Sequence, residues 1–184
     1  MKKIYEFEKS LNVGELGENI IEKYLNGLKN VKEIKSVKNI KKYQKDDIDF
    51  LVRLNTGKEV SVEVKCDSYK SGNLYYEEKS CVELNTLGCL EKTKADYIFY
   101  YFLNLNVLYI FKTNKFREWV RNEIKKYNTN PESSIIRKKE VFNRFFNKNS
   151  NKNDIYTSLG YTIPLKYIES KLNNTNIYKK YYNV

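Results

Sequence analysis

Residues 48–66 read Ile48-Asp49-Phe50-Leu51-Val52-Arg53-Leu54-Asn55-Thr56-Gly57-Lys58-Glu59-Val60-Ser61-Val62-Glu63-Val64-Lys65-Cys66, and this stretch decides the fold. Side chains alternate between the two faces of a strand, so apolar residues two apart mark a buried face. Ile48, Phe50, Val52 and Leu54 share one face of a first strand. Val60, Val62 and Val64 share one face of a second, and Ser61, Glu63 and Lys65 share its other face. Asn55-Thr56-Gly57 supplies the turn of a hairpin, with Gly57 suited to a left-handed backbone position. A three-residue loop sets Leu54 opposite Lys58, and counting back sets Asp49 opposite Glu63. One bulge would shift that pairing by a residue.

This register has chemical content. Glu63 and Lys65 leave the same face, with backbones roughly 6–7 Å apart, and the opposite face is all valine. Asp49 begins the partner strand beside Glu63. Two carboxylates and a backbone carbonyl, that of Val64, make an oxygen-rich pocket of the kind that Mg²⁺ or Mn²⁺ occupies while keeping several waters. A bound ion would polarise a phosphate oxygen and acidify a water. Lys65 would position or deprotonate that water, or offset charge on the phosphate. In a chain that is 31% charged, E-x-K alone says little. Its specificity comes from the Asp, the hairpin spacing and the valine face together.

Outward from the hairpin, Leu16, Ile20, Ile21, Tyr24, Leu25 and Leu28 recur at helical spacing and predict a helix over 16–28, stopped by Asn26 and Gly27. Lys29 to Lys45 reads as a Lys- and Asn-rich connection with a short strand around 31–37. Asn73 to Tyr76 is another candidate strand. Residues 95–103 and 107–112 are strong strands, and the first is apolar almost throughout and so expected to be central. Phe116, Trp119, Val120, Ile124 and Tyr127 mark a second helix. Residues 147–154 read as an exposed loop, 155–163 as a last strand, and Pro164 opens a helix through Leu172. The order predicts one α/β domain over 1–184 around a mixed sheet flanked by helices. Its core motifs lie in about 14–112, and 113–184 supplies the helix, loop and final strand and helix.

The 184 residues have a net charge of +11 and include 17 Tyr and 9 Phe. The basic balance suits a polyanionic partner, nucleic acid above all. Yet 29 Lys stand against 5 Arg, with a single Ala, a mix that A·T-rich codon usage also produces. Three cysteines, Cys66, Cys81 and Cys89, have no C-x-x-C spacing, so a reducing, cytoplasmic setting is expected. No membrane span or signal peptide is expected either. The chain has no histidine, which removes His-based nucleophilic catalysis and imidazole metal sites and leaves carboxylates, Lys, Tyr or a metal-bound water.

Asp49, Glu63-Val64-Lys65 and the helix before them resemble the PD-(D/E)xK nuclease superfamily, whose pattern runs helix, Asp strand, E-x-K strand. Ile48 stands where the pattern's name has Pro. The resemblance implies a restriction-endonuclease-like fold, DNA rather than RNA as substrate, and a catalytic set of Asp49, Glu63 and Lys65. In the resolvase-like branch the first helix carries a further acid after a glycine. Gly14 to Leu25 is similar, with Glu18 the best match for a catalytic and metal-binding acid and Glu15 and Glu22 in reserve. Gly72-Asn73-Leu74-Tyr75-Tyr76-Glu77 and Lys92-Thr93-Lys94-Ala95-Asp96-Tyr97 resemble segments of small phage-associated nucleases of that superfamily. This implies Glu77 near the metal, Thr93 and Lys94 at phosphate, and a phage or mobile-element origin.

The functional expectation is a Mg²⁺- or Mn²⁺-dependent endonuclease acting on DNA. Selectivity for branched DNA would call for a homodimer, since two symmetric cuts need two sites. The alternative is a nucleic-acid-binding protein on a nuclease fold without activity, using aromatic residues such as Tyr97, Tyr100, Tyr101 and Tyr109 for stacking.

Overall fold

The computed structural model describes residues 4–129, 143–151, 154–173 and 175–184. In chain order its elements are β1 (Ile4–Glu6), α1 (Phe7–Asn26), β2 (Val31–Ser36), α2 (Lys41–Lys45), β3 (Phe50–Leu54), β4 (Glu59–Asp67), β5 (Asn73–Cys81), β6 (Thr86–Leu87) and α3 (Cys89–Lys92). Then follow β7 (Tyr97–Phe102), β8 (Val107–Lys112), α4 (Thr113–Thr129), β9 (Asn143–Asn151), β10 (Asp154–Pro164), α5 (Leu165–Leu172) and β11 (Tyr178–Tyr182). The class is mixed α/β, with mixed sheets flanked by helices. Where one sheet is expected, two form. The described residues gather into two compact units, one drawn from 9–70, 92–113 and 177–184, the other from 4–8, 71–91, 114–129, 143–151, 154–173 and 175–176.

The first unit holds a sheet in the order β11-β8-β7-β4-β3-β2. All its neighbours are antiparallel except β4 and β7, which run parallel with Val62 beside Tyr97 and Asp67 beside Phe102. Strand β7 lies inside this sheet and is buried along most of its length, as its unbroken apolar run predicts. Val62 and Val64 pack with Phe50, Val52, Phe99, Tyr101 and Leu108 against Ile21 and Leu25 of α1. Non-directional burial of these apolar side chains is what fixes the helix on the sheet.

Helix α1 differs from the expected one at its start. It begins at Phe7, and its buried stripe is Gly17, Ile21 and Leu25, at spacings of four. Leu16 falls beside that stripe and is 45% exposed, so the apolar periodicity placed the face one residue too early. The close approach belongs to Gly17. A Cβ built there would lie 2.3 Å from the Cβ of Cys66 on β4, a separation no packed pair tolerates. The helix stops where Asn26-Gly27 predicts, with the Gly27 N–H donating to the Lys23 and Tyr24 carbonyls at 3.1 Å.

The second unit holds a sheet in the order β1-β9-β10-β5-β6, in which β1 and β9 are parallel. Residues 147–151, expected as loop, are the end of strand β9, and Asp154 begins β10. Asn and Lys are poor strand formers in isolation, but the backbone pairing of β9 on both sides overrides that preference. Asn147 and Asn149 also find partners, donating to the Tyr75 hydroxyl at 3.1 Å and the Ser158 hydroxyl at 3.0 Å. Strand β10 is not the last, because the Tyr-rich tail forms β11 on the edge of the other sheet, paired with β8. Among the described residues no helix is long and apolar enough to cross a membrane.

Gly17→Ala should destabilise the protein by about 1–3 kcal/mol in urea unfolding, although Ala is the better helix former by roughly 0.8–1 kcal/mol. Adding Cys66→Gly, which removes the opposing Cβ, should recover most of the loss. Cys66→Ala, which keeps that Cβ, should not. A Gly17→Ala protein as stable as the parent would mean that α1 and β4 do not meet here.

Candidate active site

The hairpin register follows the count made from the turn. Gly57 has φ +83°, Leu54 N–H donates to the Lys58 carbonyl at 2.8 Å, and Phe50 faces Val62. One residue further the ladder changes. The Asp49 N–H donates to the Val62 carbonyl at 2.9 Å, and the Asp49 carbonyl accepts the Val37 N–H at 2.8 Å. Asp49 therefore sits just before β3, tied by its backbone to strands on either side.

Its side chain is tied as well. The Val64 N–H donates to Asp49 Oδ2 at 2.7 Å, and Asp49 is within hydrogen-bonding reach of Glu63. A residue in a strand presents its N–H and C=O to the same neighbour, so the Val64 carbonyl faces the Asp49 side too. Glu63 is 5% exposed, although it lies on the face away from the valines. Val37, Ile48 and Ala95, with Tyr43 and Leu51 partly buried around them, make a small second core in this unit. Lys65 Nζ stands 3.7 Å from Glu63 Oε1, an ion pair without a hydrogen bond, and keeps 41% of its side chain in solvent. Burial pushes the Asp49 carboxyl above its ordinary range. The Val64 N–H opposes that rise, the Glu18 charge adds to it, and Glu63 and Lys65 draw it back.

Of the three candidate acids on α1, Glu15, Glu18 and Glu22, Glu18 is the one whose charge raises Asp49. Its carboxylate is held by Lys38, Nζ to Oε2 2.7 Å. Glu15 is exposed, and its charge is felt by Lys38. Glu22 is half-buried, and its backbone carbonyl accepts the Asn26 side-chain amide. Lys38 and the Gly17 contact are the features that pattern reading passed over. Nothing distinguishes Lys38 among the lysines of its Lys-rich connection. Gly17 offers a weak signal, a glycine inside a helical pattern, which usually has a packing reason.

Thr93 and Lys94 lie just before β7 and reach across to the turn that leads into Asp49. Thr93 is 1% exposed, and its hydroxyl donates to the Asp47 carbonyl at 2.6 Å while accepting the Ala95 N–H at 3.1 Å. Lys94 pairs with Asp46 at 2.7 Å and Lys92 with Asp47 at 2.8 Å. Asp96 accepts the Ser61 N–H and hydroxyl, both at 2.8 Å. Residues 92–96 thus clasp 46–47 and the middle of β4, and Asp47 holds φ +47° inside that clasp. Glu77 belongs to the other unit, on β5, where its carboxylate accepts the Cys89 N–H at 3.4 Å.

Among the described residues no three His, Cys, Asp or Glu side chains converge closely enough to enclose an ion by themselves. The donors present are two adjacent carboxylates, Asp49 and Glu63, and a backbone carbonyl. That set fits a hard dication which keeps several of its waters, as Mg²⁺ does, and does not fit a closed structural zinc site.

The raised Asp49 carboxyl makes the stability of this unit depend on pH. Its folded value lies above its unfolded one, so the associated stability is full below the ordinary carboxylate range and is lost as pH rises through the folded value. Asp49→Asn keeps an acceptor for the Val64 N–H and never ionises. It should melt above the parent near neutral pH, with the gap closing as pH falls toward the ordinary carboxylate range. A gap that stays constant across a series of thermal melts would contradict this.

No protein-family model matches the chain, and no curated relative does. Among solved structures, a bacterial homing endonuclease is similar over 59% of this chain and 72% of its own, at 15% sequence identity and a TM-score of 0.44.

Proposed function

We propose that this chain is a metal-dependent endonuclease that hydrolyses DNA phosphodiester bonds, with Mg²⁺ or Mn²⁺ as cofactor. The observation that carries the proposal is the pair of adjacent carboxylates, half-buried Asp49 and buried Glu63, with Lys65 beside them at the solvent edge. Burial of two acids side by side is unfavourable unless a cation or a proton compensates them. A site built this way is an electrostatic deficit that a dication would fill.

In this reading Asp49, Glu63 and the Val64 carbonyl would hold the ion. When bound, it would supply Lewis acidity toward a phosphate oxygen and a water acidic enough to attack phosphorus. Lys65 has the reach and exposure to meet the phosphate, where its ammonium offsets the charge that grows during attack. The Val64 N–H keeps one Asp49 oxygen fixed and leaves the other for the ion. Glu18 serves as a third acid beside this pair. With no histidine in the chain, proton movement falls to Lys65 and to water. The net charge of +11 favours association with the DNA backbone and makes it salt-dependent. Selectivity for branched DNA, and the homodimer it would call for, belong to the same proposal, as does a cytoplasmic setting.

Plasmid, single-stranded and four-way-junction DNA should be cut in Mg²⁺ or Mn²⁺, and EDTA should stop the reaction. Asp49→Ala, Glu63→Ala and Lys65→Ala should each lower cleavage by at least about 100-fold while keeping the parent's circular dichroism. Full cutting by the Glu63→Ala protein would overturn the site. Binding of all three substrates without cutting would favour a non-catalytic DNA-binding role.

A further inference from the structure

Lys38 is fastened to the same corner of the sheet as Asp49. It follows Val37, which is 1% exposed and whose N–H donates to the Asp49 carbonyl at 2.8 Å. The chain then turns, with the Ile40 N–H returning to the Val37 carbonyl at 2.9 Å. That turn sends the Lys38 ammonium onto Glu18 Oε2 at 2.7 Å. The ammonium feels Glu18 most strongly, then Glu15 and Asp49, and all three hold its proton more tightly than usual. Lys38 also keeps 34% of its side chain in solvent, so it has room to swing away.

A lysine ammonium is a compact point charge with three donors on a flexible stem. It satisfies a carboxylate as a small cation does, but it is tethered and carries a single charge. The oxygen it holds on Glu18 is the acid nearest in role to the pair that would bind a dication. An ammonium in contact with that oxygen and a dication beside the same acids repel each other.

We propose that Lys38 is a built-in counter-ion of the candidate metal site, occupying Glu18 in the metal-free protein and leaving it when a divalent cation binds. The inference rests on the metal-dependent reading above. It assigns Lys38 a positioning role: it sets the metal affinity through Glu18 and takes no part in phosphate chemistry.

The test is Mn²⁺ binding to the full chain by isothermal titration calorimetry, without DNA. Lys38→Met should bind Mn²⁺ more tightly than the parent, by roughly tenfold, as expected for removing one competing charge from a partly solvated site. Lys38→Arg keeps the ion pair and should stay near the parent. Adding Glu18→Gln to Lys38→Met should abolish the gain, because the released carboxylate is then gone. Circular dichroism checks that each variant is folded. If the parent binds Mn²⁺ and Asp49→Asn does not, yet Lys38→Met matches the parent, the counter-ion role fails while the metal site stands. Weaker binding by Lys38→Met would also overturn it, since Lys38 would then be holding Glu18 ready for the metal. If neither the parent nor Lys38→Met binds Mn²⁺, the metal reading fails and this inference falls with it.

Discussion

The hydrogen bond from the Val64 N–H to Asp49 Oδ2, 2.7 Å long, is the contact on which the geometry of the candidate site depends. It joins the acid just before β3 to the backbone between Glu63 and Lys65, so residues from the two sides of the hairpin become one cluster. It also works against the desolvation of Asp49, because a donor aimed at a carboxylate favours the charged form. Burial still wins, and the carboxyl remains above its ordinary range. A half-buried acid whose desolvation is only partly offset is a poor structural element. It makes sense as half of a binding site.

Much of the first unit can be understood as the scaffold for that one contact. Asp49 lies outside the regular ladder, so strand pairing alone does not hold it. Its backbone is braced by Val37 on one side and Val62 on the other. The turn before it is clasped from 92–96 by two ion pairs and a buried threonine hydroxyl. The solvent-screened ion pairs each contribute little. The threonine is the firmer element, since its hydroxyl is buried and both its hydrogen bonds are made inside the protein. Within this unit, then, the Thr-Lys-Ala-Asp segment has a structural account in full: hydroxyl to turn, ammonium to turn, methyl to core, carboxylate to Ser61.

Elements whose side chains follow a period were readable before any coordinates. The hairpin register came out correctly through Phe50 and Val62 because a two-residue period and a glycine turn leave few alternatives. The central position of β7 followed from its unbroken apolar run. Leu16 misled because it neighbours Gly17, and a residue without a side chain adds nothing to an apolar pattern even when it makes the closest contact. Strand β9 was invisible because its Asn- and Lys-rich sequence forms a strand only through backbone pairing with β1 and β10. The role of β11 was hidden for the same reason, since its partner β8 lies some seventy residues earlier. At the site, the Asp-Glu-Lys juxtaposition was legible from spacing. Lys38 was not, because one lysine among 29 acquires meaning only from where a turn aims it.

The charges at this corner explain why lysine alone does not complete it. Glu18, Asp49 and Glu63 face Lys38 and Lys65, so the local sum is negative even with both ion pairs formed. The two ammoniums are also placed unequally. Lys38 makes a short hydrogen-bonded pair with Glu18, whereas Lys65 stands off from Glu63 at 3.7 Å and keeps 41% of its side chain in solvent. Asp49 has no lysine in hydrogen-bond contact among the described residues, and the groups that favour its charged form are the Val64 amide, Glu63 and the charge of Lys65. A single positive charge at Asp49 would have neutralised the corner and made it inert. The arrangement instead leaves its negative charge beside Asp49 and Glu63, which is what the proposed dication would offset.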